Sequence, residues 1–106
     1  MCSDINYIVN REYSEEIDRK RKGMVLQSYY KYGPAKKNFG EGRVDALKSA
    51  EECMEAFKKD HNSEHLYDAM NYLMFRIMFP LPGDVYRQTD SDESVKPVGT
   101  PINMER

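Results

Sequence analysis

From residue 14 onward the apolar positions recur at helical rather than strand spacing, and polar interruptions divide them into three runs. The first predicted helix begins at Ser14, an N-cap residue followed by Glu15 and Glu16 in the first turn, and stops at Gly33-Pro34. Ile17, Met24, Val25 and Tyr32 share its apolar stripe, and Gly23 is its weak point. A loop is expected over "GPAKKNFGEG", whose three glycines and one proline leave little room for regular structure. The second helix runs from about Arg43 to Lys59, with Ala46, Leu47, Ala50, Cys53, Met54 and Phe57 as its apolar face. "HNS" then offers caps for a third, from about Glu64 to Phe79, which Pro80 and the following "LPGD" terminate.

The two ends lack this order. Residues 1–13 read as an N-terminal arm and residues 14–79 as the helical domain. Residues 80–106 form an irregular tail that holds four of the five prolines and the acidic run "TDSDES". Such a tail is either disordered or held against another surface through Val85, Tyr86 and Ile102. The fold class is therefore all-α, a three-helix subunit. Its third helix has more apolar surface than two helices of the same chain can cover. Assembly into a helical-bundle dimer or higher homo-oligomer is expected, with the stripe Met70, Met74, Met78 in the core or at the subunit interface.

Composition narrows the setting. A chain of 106 residues with 40% hydrophobic and 32% charged residues makes one water-compatible domain. No apolar run reaches the roughly 18 residues that a membrane span needs, and the acids of "MCSDINYIVNREYSEE" break any signal peptide, so a cytoplasmic location is expected. Cys2 and Cys53 make neither a disulfide framework nor a zinc site. The net charge of −2 divides unevenly: residues 1–48 carry ten Lys or Arg against seven acids, and residues 49–106 carry six against eleven. Neither half is basic enough to assign nucleic-acid binding on electrostatics alone, and a nucleic-acid partner is not expected.

The third helix poses the chemical question, because Asp68 and Asn71 interrupt an otherwise apolar element. A desolvated carboxylate costs several kcal/mol unless it finds a partner, a metal or an open cleft. At 100° per residue Glu64, Asp68 and Asn71 fall within about 60° of one another. Glu51, Glu52 and Glu55 gather on the second helix, and if the two helices pack antiparallel these stripes could face each other. Such a cluster suits a hard cation, and Mg2+, usually held by one or two carboxylates with phosphate and water, suits it best. A solvated acidic face interleaved with Lys48, Lys58 and Lys59 is the plainer alternative for the glutamates, as a satisfied buried polar pair is for Asp68 and Asn71. Lys36 and Lys37 in the glycine-flanked loop are suitable phosphate counter-charges, and Tyr29, Tyr30, Tyr32 or Phe39 could stack on a base.

"EECME" at 51–55 followed by "EHLYDAMNYL" at 64–73 resembles the two-helix signature of the MazG-like, all-α nucleoside triphosphate pyrophosphohydrolases, EExxE on one helix and ExxD on the next. His65 stands where that family has the glutamate of ExxD, with Glu64 one residue earlier. The resemblance implies magnesium-dependent hydrolysis between the α and β phosphates of a nucleotide, with Glu51, Glu52, Glu55 and Asp68 as metal residues and Asn71 orienting base or sugar. Two other readings use the same residues: a non-catalytic helical oligomer that sequesters a nucleotide or nucleotide-derived signal, as some small phage proteins do, and a protein-interaction module.

Overall fold

The computed structural model describes residues 2–90 and 92–99, which contain helices and no strand. Four α-helices, α1 (Cys2–Glu12), α2 (Glu15–Tyr32), α3 (Ala46–Asp60) and α4 (Glu64–Met78), are joined by short connections, with a π-helical turn at Lys36–Gly40. The all-α expectation holds. The expected arm is a helix over most of its length, however. Asp4 lies in its first turn and Arg11 in its last, and Arg11 also sits over the Tyr7 ring at 5.4 Å. The described side chains of α1 are all exposed, so local terms and not burial account for it.

Ser14 caps α2 as its sequence position suggests, its hydroxyl accepting from the Ile17 N–H at 3.1 Å. Gly33 ends the helix at φ 86, where a side chain would be strained, and donates its N–H to the Tyr29 carbonyl at 2.9 Å. Helix α3 starts later than the apolar pattern alone suggests, because Asp45 takes the cap and accepts from the Lys48 N–H at 3.0 Å. His61 closes it in the left-handed conformation at φ 57. The three-residue connection to α4 is tied by Asp60, which accepts from the Asn62 N–H at 2.9 Å and contacts His65 Nε2 at 3.0 Å. Asn62, rather than Ser63, then caps α4 by accepting from the Glu64 N–H at 3.0 Å.

Helices α3 and α4 form a hairpin whose interface is built from small residues. Ala46, Ala50 and Ala69 are buried there, and Ala50 is wholly inaccessible. Phe75 is the one large apolar side chain among the buried residues. It stacks on Phe39 of the π turn, ring centroids 4.5 Å apart and 17° from parallel, and Phe39 also meets Tyr72 edge-on at 6.0 Å. The loop expected to be irregular is thus folded over the hairpin by an aromatic anchor. Asn38 fixes it further, donating to the Tyr32 carbonyl at 3.1 Å and accepting at its own carbonyl from the Val44 N–H at 2.9 Å.

Helix α2 has no fully buried residue and is held to α4 by polar contacts, with Met24 and Val25 half-buried beside them. Arg21 Nε donates to Asn71 Oδ1 at 3.1 Å, Asn71 Nδ2 donates to the Arg21 carbonyl at 3.3 Å, and Arg21 also reaches Asp18 at 3.4 Å. Beyond α4 the described residues of the tail have neither helix nor strand. Its first turn is tied back by Asp84, which accepts two hydrogen bonds from Arg76 at 2.8 and 3.1 Å and a third from the Leu81 N–H. Val85 and Tyr86, expected to hold the tail to a surface, are exposed within this chain, and Ile102 lies outside the described residues.

Candidate functional site: an aromatic cleft around Asp68

Asp68 and Asn71 sit within one turn of α4 and have different fates. Asn71 is buried, with its carbonyl oxygen and amide nitrogen both engaged by Arg21, so it fastens α2 to α4. The partner is Arg21, which no sequence spacing marks. Arg76, the nearer candidate in sequence, is taken by Asp84. Asp68 is half-buried and has no hydrogen bond or ion pair among the described residues. Burial pushes its carboxyl above the ordinary carboxylate range, Glu64 adds to the shift and His65 opposes it.

What receives Asp68 is a cleft of about 290 Å3, near the lower end of small-molecule pockets. Helix α2 supplies Met24, Val25, Tyr29 and Tyr32 to its wall, and the π-turn segment supplies Ala35, Asn38 and Phe39. Tyr72 and Phe75 accompany Asp68 from α4. Among the described residues, Asp68 is the only charged side chain in this lining. Burial raises the Tyr72 hydroxyl's pKa, and Cys53, Asp68 and Tyr32 add to it; the Cys53 thiol is raised by burial first and then by Asp68 and Glu52. Tyr32, Tyr72, Cys53 and Asp68 therefore share one neighbourhood.

The other expected site residues are distributed differently. Glu51 lines a second, more open groove of about 560 Å3 between the start of α3 and the end of α4. Glu55 is exposed and paired with Lys58 at 3.0 Å, while Glu52 is exposed on the Cys53 side. Among the described residues no three His, Cys, Asp or Glu side chains are arranged to hold a metal ion. The expected Mg2+ residues Glu51, Glu52, Glu55 and Asp68 are thus not gathered into one such group. The physical reason is that α3 turns Ala46 and Ala50 toward α4, leaving its glutamates on the outer faces. Lys36 and Lys37 are exposed on the turn that supplies Ala35, Asn38 and Phe39, and neither ammonium has a partner among the described residues. Tyr32 lines the cleft; Tyr30 is 77% exposed, edge-on to Tyr29, and does not.

The unpaired carboxylate has a measurable signature. Because the Asp68 pKa is raised on folding, its protonation favours the folded state: this contribution is present below the ordinary carboxylate range and is lost as pH rises through the raised value. Asp68→Asn should lack that loss and be the more stable protein near neutrality, its advantage shrinking in acid. Asp60 and Asp84, whose pKa values are lowered, give both proteins the opposite slope, so the difference in thermal midpoint isolates Asp68. A difference that stays constant across the carboxylate range would show that folding leaves this group unshifted.

No protein-family model matches the chain, and neither a curated protein nor a solved structure is significantly similar to it. Among the described residues, no helix is long and apolar enough to cross a membrane.

Proposed function

We propose that the protein binds a nucleotide or nucleotide-derived small molecule in the cleft between α2, the π turn and α4, and holds it without consuming it. The observation that carries this reading is the half-buried Asp68, without a hydrogen bond or ion pair among the described residues, in a ring-lined cleft; Lys36 and Lys37 are exposed on the turn that supplies Ala35, Asn38 and Phe39 to it. Aromatic walls stack a base whatever its identity, and lysines outside the apolar zone can meet phosphate without desolvation. Hydrolysis, implied by the resemblance of Glu51, Glu52, Glu55 and Asp68 to the pyrophosphohydrolase signature, calls for converging metal donors.

The binding subunit would be a homo-oligomer. Leu66, Met70, Leu73 and Ile77 repeat at intervals of four, three and four residues along α4, a seam suited to a second copy, and all are exposed. This stripe lies about 180° around the helix from Phe75, so its burial would leave the cleft open. The chain exposes 9341 Å2, whereas a compact monomer of its mass exposes about 6,100 Å2. Tail and α1 account for part of the excess. The remainder can supply the roughly 800 Å2 per partner of a stable interface.

Equilibrium dialysis against a nucleotide panel, with and without Mg2+, tests both parts when the bound fraction is passed over a light-scattering detector. Intact nucleotide bound to an oligomer is expected, with or without the metal. Release of pyrophosphate only when Mg2+ is present would instead make the protein a hydrolase. Absence of binding under every condition would remove the nucleotide reading, and a compact monomer at all micromolar concentrations would remove the oligomer.

A further inference from the structure

We infer that the cleft reads the base, and that Asp68 selects guanine through its donor edge; this rests on the nucleotide reading above. An ionised carboxylate is an acceptor with two oxygens and no proton to give. Its complement is a pair of adjacent N–H donors in one plane. Among the purines, guanine carries such a pair, at N1 and the exocyclic N2, on the edge left free when the sugar is attached at N9. Hypoxanthine offers only N1–H. Adenine sets the bare acceptor N1 there, and xanthine sets an oxygen in place of the amine, each facing a negative charge.

Three features of the cleft bear on this choice. Among the described residues the lining contains no cation that would neutralise Asp68, so a ligand that excludes water from the cleft has to satisfy the carboxylate by donating to it. Tyr32, Tyr72 and Phe39 border the same space, so the donor has to be carried on a flat ring able to lie against their faces. A guanidinium or other organic cation would satisfy both conditions. It would be disfavoured by Lys36 and Lys37, exposed on the turn that supplies Ala35, Asn38 and Phe39 to the lining, whose charges attract the phosphates of a guanine nucleotide. A cleft of about 290 Å3 suits one ring system with its sugar emerging.

Substitution converts the selectivity. Asp68→Asn keeps the shape but presents one acceptor and one donor, matching the N1–H and C2 oxygen of xanthine and losing the match to guanine. The measurement is the dissociation constant of GMP, IMP, AMP and xanthosine monophosphate for the full chain and for D68N, with agmatine as an organic-cation competitor. The wild type should bind in the order GMP, IMP, then AMP and xanthosine monophosphate. D68N should lose roughly ten- to a hundredfold for GMP and gain for xanthosine monophosphate, the span expected of one bidentate base contact. A gained affinity cannot come from misfolding. Equal wild-type affinity for all four purines overturns the edge reading while leaving the nucleotide-binding function standing. So does a D68N protein whose preference is unchanged. Displacement of GMP by agmatine at equal concentration makes the site one for organic cations, and failure of every nucleotide to bind removes the function and this inference together.

Discussion

Phe75→Ala is expected to remove about 3–5 kcal/mol of stability, the usual range for deleting a buried phenylalanine. Set against a total stability of about 5–15 kcal/mol for a small domain, that loss brings the chain close to its unfolding midpoint. The expectation rests on how little else the core contains. Ala46, Ala50 and Ala69 are the other buried apolar residues among those described; they bring α3 and α4 close but contribute little area of their own. Phe75 also carries Phe39 and through it the π turn, and its ring separates the Asp68 cleft from the Glu51 groove. Urea titration followed by helical circular dichroism measures the loss. Phe75→Leu, which keeps most of the volume, should cost no more than about 1.5 kcal/mol. An alanine variant within 1 kcal/mol of wild type would mean that Phe75 closes no core.

The helices were legible where their ends carry local signals. Ser14 and Gly33 bound α2 as a cap and a left-handed stop, and Pro80 follows the end of α4. The boundary of α3 was displaced because Asp45, a cap, stands two residues beyond Arg43, within a stretch whose apolar spacing already looks helical. Helix α1 lacked both a strong cap and a buried face, so periodicity had nothing to register. The π turn was hidden for a different reason: glycines at 33, 40 and 42 predict irregularity, but Phe39 finds Phe75 and Tyr72 more than 30 residues away.

For the site, the oddity of Asp68 was readable from one helix alone, whereas its neighbours were not. Three separate segments build the cleft, and Tyr32, Phe39 and Tyr72 become neighbours only after α2 has docked. The glutamates illustrate the converse. EExxE marks a charged helix face, but which side of α3 meets α4 is decided by Ala46 and Ala50, and these place the acids outward. Sequence spacing fixes angles around one helix; the rotation of that helix against its partner depends on where the small residues lie.

That docking gives the second large expected effect. Asn71→Ala should release α2 from α4, at a cost of about 1.5–3 kcal/mol for a buried hydrogen bond to a charged group. Arg21 would lose its Nε acceptor and keep only the weaker contacts to Asp18 and to the Met74 sulfur. Since α2 has no fully buried side chain and, of its apolar residues, only Met24 and Val25 are half-buried, limited apolar packing opposes its release. The loss should therefore be local. Hydrogen exchange should accelerate in the amides of α2 while those at the α3–α4 interface keep most of their protection. Ligand binding should weaken in step, because Met24, Val25, Tyr29 and Tyr32 leave the cleft with α2 although Asp68 is untouched. Asn71→Asp keeps an acceptor for Arg21 Nε but sets an oxygen against the Arg21 carbonyl that Asn71 Nδ2 serves, so it should restore α2 protection only in part, and the added negative charge in the lining should leave nucleotide binding weak. Acceleration spread evenly over all helices would show that Asn71 supports the whole fold. Unchanged exchange would place the attachment of α2 elsewhere, with the Lys20 ammonium over the Tyr67 ring at 5.9 Å the next contact to remove.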